Sequence, residues 1–171
     1  HGMSMRNAGG ADMRALSAVN MAQLDILGQS SGLPLYRLLG GRTRARVRVY
    51  NTTTDYWAID NTRMGPDTLK IAGFLLDRGI TAMKIYPFSA RDGYLSNQAL
   101  DNGMRWIKDI RDKFGNQMDI CVDLWGRFDL ASAQRIAREL EPYNILYLED
   151  AMLNANPQAY AQLARETSVP I

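Results

Sequence analysis

Asp119-Ile-Cys-Val-Asp123-Leu-Trp125 and, further along, Asn144-Ile-Leu-Tyr-Leu-Glu149-Asp150 are the stretches whose reading decides the fold. Each is a short apolar run that closes on a carboxylate, and a helix-patterned segment separates them. The pair therefore reads as consecutive parallel strands of a β-α-β unit. Alternation along a strand puts Asp123 on a face with Cys121 and Asp119, and Glu149 on a face with Tyr147 and Ile145. Adjacent strands run about 4.8 Å apart. Two strand-end carboxylates at that spacing can grip one hard divalent cation such as Mg²⁺. An acid at a strand end also serves as a helix cap or a salt-bridge partner, so the pair alone leaves both readings open.

The same alternation of strand and helix extends in both directions. Upstream, Ile80 to Tyr86 reads as a strand with Ala82, Lys84 and Tyr86 on one side and Met83 and Ile85 on the other. A helix marked by Leu100, Gly103, Ile107, Ile110 and Phe114 follows it and stops at Gly115. A loop from Pro87 to about Ser96 joins the two, longer than most connections and so a candidate active-site loop. Gly65-Pro66-Asp67 opens an earlier helix, with Pro66 expected at its first position, and Val47-Arg-Val-Tyr-Asn51 reads as the first strand. Downstream, Asp129 caps a helix broken at Pro142, Asn156-Pro157 opens another, and Ser168-Val-Pro-Ile171 resembles the start of a fifth strand. Before all of these, Asp12 to Leu27 is a helix apolar nearly all round, which Gly28, Gly32 and Pro34 are expected to stop.

Strand starts near residues 47, 81, 119, 145 and 169, with one helix in each gap, predict an α/β fold with a parallel sheet. Asn51, Lys84, Tyr86, Asp123 and Glu149 gather at strand C-terminal ends, where a (β/α) TIM-type barrel builds its site. Four βα units and the start of a fifth strand amount to roughly the first half of such a barrel, whose usual length is about 250 residues. The expected division is residues 1–45, a linking helix and turn, and residues 46–171, the N-terminal half of the barrel.

Composition narrows the partners. With 46% apolar and 22% charged residues, the 171-residue chain has the balance of a folded domain rather than a disordered one. A formal charge of +2 is too even to favour nucleic acid or a membrane surface, and no apolar run reaches the roughly 20 residues of a membrane span. The single cysteine, Cys121, excludes a disulfide framework and a cysteine metal site, and fits a cytoplasmic protein. His1-Gly2 ahead of Met3 has the look of a tag remnant. Arg42, Arg44, Arg46 and Arg48 at spacing two form a solvated stripe to which no site is assigned.

Taken together, Leu16-Ser-Ala-Val-Asn-Met-Ala-Gln-Leu-Asp-Ile-Leu-Gly28, Gly32-Leu-Pro-Leu-Tyr-Arg-Leu-Leu-Gly-Gly41, Thr81-Ala-Met-Lys-Ile-Tyr-Pro-Phe88 and the strands ending in Asp123 and Glu149-Asp150 resemble the mandelate racemase and muconate lactonizing branch of the enolase superfamily. The resemblance implies a barrel enzyme whose Mg²⁺ is held by carboxylates on three successive strands. Asp123 and Glu149 match the first two, and the third is expected just beyond Ile171. It implies abstraction of a proton α to the carboxylate of an acid sugar, with Mg²⁺ stabilising the enediolate, and dehydration in preference to racemisation. Lys84 stands at the first position of the family's Lys-x-Lys pair, as a base or a carboxylate holder; Tyr86 replaces the second lysine. A tyrosine hydroxyl serves as donor or acid there rather than as a base. Lys84 has a plainer reading, a structural lysine paired to Asp123 or Glu149.

Trp125, two residues past the first ligand, takes a place that faces substrate in the family and suggests an aromatic wall, with Arg127 a clamp on an acidic group and Asn51 a further substrate ligand. The family's capping domain and its opposite-face base are expected outside this stretch, so the chain by itself is expected to be inactive, and a homo-oligomer is the expected assembly. The rival reading is a non-catalytic, truncated half-barrel that lacks the third ligand and pairs with another chain to cover its open strand edges. A Gly28-Gln-Ser30-Ser-Gly32 match to serine hydrolases sits at a helix end rather than on a strand-to-helix elbow and has no internal histidine to activate Ser30.

Overall fold

The computed structural model describes residues 10–53, 62–89, 94–152 and 156–171. The start at His1-Gly2 and the middle of the loop after Pro87 lie outside them. Two compact units are present, His1–Arg48 and Val49–Ile171.

In the first unit, helix α1 spans Gly10–Ser31 and the single turn α2 spans Leu35–Leu38. Gly28 does not stop α1, because one glycine in a long helix costs only about 1 kcal/mol. The helix ends where Gly32 takes a positive φ of 63° and Leu33 donates its amide back to Gly28 O at 3.2 Å. Glycine suits position 28 for another reason: a Cβ there would stand 3.3 Å from Leu33 O as the chain turns back. None of the residues of α1 is buried.

The second unit is a three-stranded sheet, β1 (Ala82–Ile85), β2 (Asp119–Asp123) and β3 (Tyr147–Glu149), in that order and parallel throughout. Helix α3 (Thr68–Leu76) precedes β1, α4 (Asn97–Phe114) and α5 (Leu130–Leu140) fill the crossovers, and α6 (Pro157–Glu166) follows β3. Each crossover returns the chain to the same end of the sheet, so all three strands finish together. Met83 and Ile85, Ile120 and Val122, and Leu148 supply the apolar face, which shares one buried core with Ile107 and Ile110 of α4 and Ile136 and Leu140 of α5. Lys84, Cys121, Asp123, Tyr147 and Glu149 take the alternate positions.

Side-chain caps start α4, α5 and α6, the last two where the sequence indicates. Ser96 Oγ accepts from Ala99 N at 3.1 Å, Asp129 Oδ1 from Ser132 N at 2.8 Å, and Asn156 Oδ1 from the amides of Gln158 and Ala159. At the other end of the sheet the Arg111 guanidinium donates to the carbonyls of Tyr143, Gly115, Met118 and Asn144, tying the end of α4 to the starts of β2 and β3.

Several expected boundaries shift. The first strand shrinks from Val47–Asn51 to one bridge, Asn51 to Met83, with Asn51 N on Ala82 O and Lys84 N on Asn51 O. Val47 and Val49 are 74% and 61% exposed, so burial gives those residues no reason to join the ladder. The helix expected from Pro66 begins at Thr68, after a turn in which the Thr68 hydroxyl bonds both Gly65 N and Gly65 O. Residues 168–171 contribute one rung, Leu148 N to Pro170 O at 2.8 Å, and no full strand. Among the described residues no helix is long and apolar enough to cross a membrane.

Candidate metal centre

Register settles which side chains meet. Asp123 on β2 pairs directly with Glu149 on β3, and Lys84 on β1 pairs with Cys121, two residues short of Asp123. Lys84 reaches along the sheet so that its Nζ lies 2.7 Å from Glu149 Oε2 and 3.1 Å from Asp123 Oδ2. The side chains of Lys84 and Asp123 are only 8% and 6% exposed, while Glu149 keeps 35% of its surface open to solvent. Both carboxylates thus face one cation. Burial acts to lower the Lys84 pKa, but hydrogen bonds to Glu149 and then Asp123 outweigh it, and the net shift is upward. Held this way, Lys84 is an ammonium at neutral pH.

Two hard carboxylates on neighbouring strand ends, converging where a positive charge already sits, fit the donor chemistry of Mg²⁺. The open side of Glu149 leaves room for water ligands. The two carboxylates stand as a pair: among the described residues no group of three or more His, Cys, Asp or Glu side chains gathers as a metal site.

Asp123 carries a second load. Its Oδ1 accepts the Trp125 amide at 2.8 Å, pinning Trp125 at φ +57° ahead of Gly126 at φ +62°. A bulky residue in that region costs of order 1–3 kcal/mol, a strain that clusters at functional sites. The turn is also held by Gly126 N on Asp150 O at 2.7 Å and Leu124 N on Glu149 O at 3.0 Å. It presents the indole to solvent, 56% exposed, edge-on to Tyr86 at 5.6 Å, with the Arg127 guanidinium 4.8 Å from the ring centre. These three side chains, with Asp123, Phe88 and Trp106, line a cleft of about 360 Å³ beside the carboxylates. Phe88 and Ser89 bring the described start of the long loop to its rim.

Lys84, Tyr86, Asp123, Trp125, Arg127 and Glu149 are therefore brought together. Asn51 is set apart: it pairs with Met83, on the apolar face, and its Oδ1 accepts the Thr53 amide at 2.8 Å. Tyr50 takes the place beside Lys84, its ring centre 5.8 Å from Nζ and 6.0 Å from the Tyr147 ring. The sequence reading missed Tyr50, although its alternation with Asn51 was the available signal. Burial, with hydrogen bonds to Tyr50 and Cys121, pushes the Tyr147 hydroxyl pKa up.

Comparison with known proteins bears on the family and the fold. The Enolase C-terminal domain-like family matches residues 69–171. A D-galactonate dehydratase of Xanthomonas euvesicatoria is 32% identical over an alignment of 171 positions that takes in 93% of this chain and 40% of that protein. One from Pectobacterium atrosepticum is 30% identical over 163 positions with the same coverage. Among solved structures, an enolase of the mandelate racemase subgroup from Agrobacterium tumefaciens superposes with a TM-score of 0.82 at 32% identity, covering 96% of this chain and 44% of that one. An enolase protein from Sargasso Sea environmental sequencing gives a TM-score of 0.84 at 33% identity with the same coverage. The chain spans about two fifths of the length of the curated relatives it matches. On the family match, the shared fold and the strand-end carboxylates, this chain belongs to the enolase superfamily, in its C-terminal-domain-like family.

Proposed function

We propose that this chain is part of a (β/α) barrel enzyme that dehydrates a sugar acid, with Asp123 and Glu149 as two of its Mg²⁺ ligands. The observation that carries the reading is the direct pairing of Asp123 with Glu149, both carboxylates turned on the Lys84 ammonium, with Asp123 in the lining of a cleft. Support for the substrate class comes from relatives named D-galactonate dehydratase. Mg²⁺ supplies positive charge that offsets the negative charge developing on a substrate carboxylate as its α-proton leaves.

The chain's own residues divide the remaining work. Arg127, stacked on Trp125, offers a planar fork of donors to an acidic group entering the cleft. Trp125 and Tyr86 form the apolar wall that turns the substrate and limits water, and the Tyr86 hydroxyl is a donor to a sugar hydroxyl. Lys84 accepts no proton while both carboxylates hold it, so a part in proton transfer or carboxylate binding requires that pair to open.

Calorimetric titration tests the metal centre. Mg²⁺ is expected to bind the chain weakly at one site, and Asp123→Asn or Glu149→Gln is expected to abolish the heat. Wild-type affinity in either variant would overturn the assignment. D-galactonate and other sugar acids are expected to add binding only in the presence of Mg²⁺, and Arg127→Ala to remove it.

A further inference from the structure

We infer that Lys84 is the built-in counter-ion of the Asp123 and Glu149 carboxylates, and that a divalent cation binding there displaces its ammonium towards Tyr86 and the cleft. This rests on the proposed metal centre. Two carboxylates on one rung of a parallel ladder repel each other, and Asp123 is almost wholly buried, so without a cation the pair is costly. Lys84 supplies that cation: it comes from the neighbouring strand, and its Nζ bonds one oxygen of each carboxylate.

A Mg²⁺ ion sits about 2.1 Å from its oxygens. Lys84 Nζ, 2.7 Å from Glu149 Oε2 and 3.1 Å from Asp123 Oδ2, would compete with such an ion for those oxygens, and the two positive charges would repel. The ammonium has two aromatic faces within reach, Tyr50 and Tyr86, each 5.8 Å from Nζ. Each ring is packed edge-on against another aromatic, Tyr50 against Tyr147 and Tyr86 against Trp125, but Tyr86 lines the cleft with Arg127 and Tyr50 does not. The displaced lysine therefore moves to Tyr86, keeps a cation–π contact there, and joins Arg127 as a second positive group facing an acidic ligand. Metal binding would thus arm the cleft for an anion, which makes metal first and acid second the favoured order.

The test compares wild type with Lys84→Met, using Mn²⁺ as a spectroscopic probe and Mg²⁺ as competitor. The variant is expected to bind about ten-fold tighter or more, the weight of one lost charge-assisted hydrogen bond. It is also expected to unfold at lower temperature without metal and to recover the difference in saturating Mg²⁺. A second measurement needs no variant: reductive methylation of wild-type Lys84, read by peptide mass spectrometry against Lys70, Lys108 and Lys113, is expected to rise several-fold when Mg²⁺ saturates the site. Folded Lys84→Met that binds metal no tighter than wild type, or Lys84 labelling that ignores bound metal, would overturn this inference and leave the metal centre standing. Wild type that binds neither Mn²⁺ nor Mg²⁺ would overturn both.

Discussion

Replacing Gly103 by alanine puts two opposed effects in one position. Gly103 lies inside α4, and glycine in a helix interior is about 1 kcal/mol worse than alanine, so propensity alone predicts a gain. Packing opposes it. A Cβ at Gly103 would stand 2.3 and 2.4 Å from two ring carbons of Phe88 and 3.0 Å from the Pro87 carbonyl. Phe88 is 6% exposed and part of the core, so the only space its ring can take up is the cleft it lines, and the carbonyl belongs to the backbone leaving β1. Overpacking of this kind costs about 1–3 kcal/mol, and an overlap involving backbone belongs at the upper end. The net expectation is a loss of about 1–2 kcal/mol. Gly73 in α3 is the control, since its Cβ would meet nothing nearer than Phe114 at 3.8 Å, and Gly73→Ala is expected to gain up to about 1 kcal/mol. Urea unfolding of the three proteins side by side reads the differences as midpoint shifts. Gly103→Ala as stable as Gly73→Ala would refute the reasoning. Because Phe88 also lines the cleft, Gly103→Ala should weaken acid binding there more than Gly73→Ala does.

Two further outcomes concern the scaffold. Asp129→Ala removes the α5 cap and is expected to cost about 1 kcal/mol at pH 7. Hydrogen bonds from the Ser132 backbone and side chain hold the Asp129 carboxyl below its ordinary pKa. Its contribution is therefore present above the unfolded carboxylate value of about 3.9 and is lost as pH falls through the lower folded value, so the deficit should shrink in urea titrations near pH 3. Arg111→Ala strips four carbonyls of their charged donor and should cost about 2–3 kcal/mol; Arg111→Lys should recover only part, because one ammonium cannot serve four carbonyls fanned around a guanidinium. Thermal unfolding of both variants checks this.

Local pattern sufficed wherever one side chain's direction follows from its strand. Apolar alternation and the intervening helix periodicity were enough to place Lys84, Asp123 and Glu149 on one face, because a two-residue period leaves no third choice. The helix starts at Asp129 and Asn156 were similarly legible, since a cap is an interaction within one turn. Proximity to a strand end proved a poorer guide than parity: Asn51 is the last residue of its run, yet it faces with Met83, and Tyr50 is the one that reaches Lys84.

From its sequence alone, then, this chain determined a parallel α/β arrangement and which carboxylates share its polar face, because both follow from short-range periodicity. Whether Lys84 stood free as a base or was bound as an ammonium lay beyond that information. The answer depends on three strands brought into register and on a side chain that spans two neighbouring strands to meet Glu149. The left-handed turn at Trp125 was equally hidden: bonds to Asp123 and from Gly126 to Asp150 hold it there, and the second of these crosses between chain segments that only the folded sheet makes neighbours.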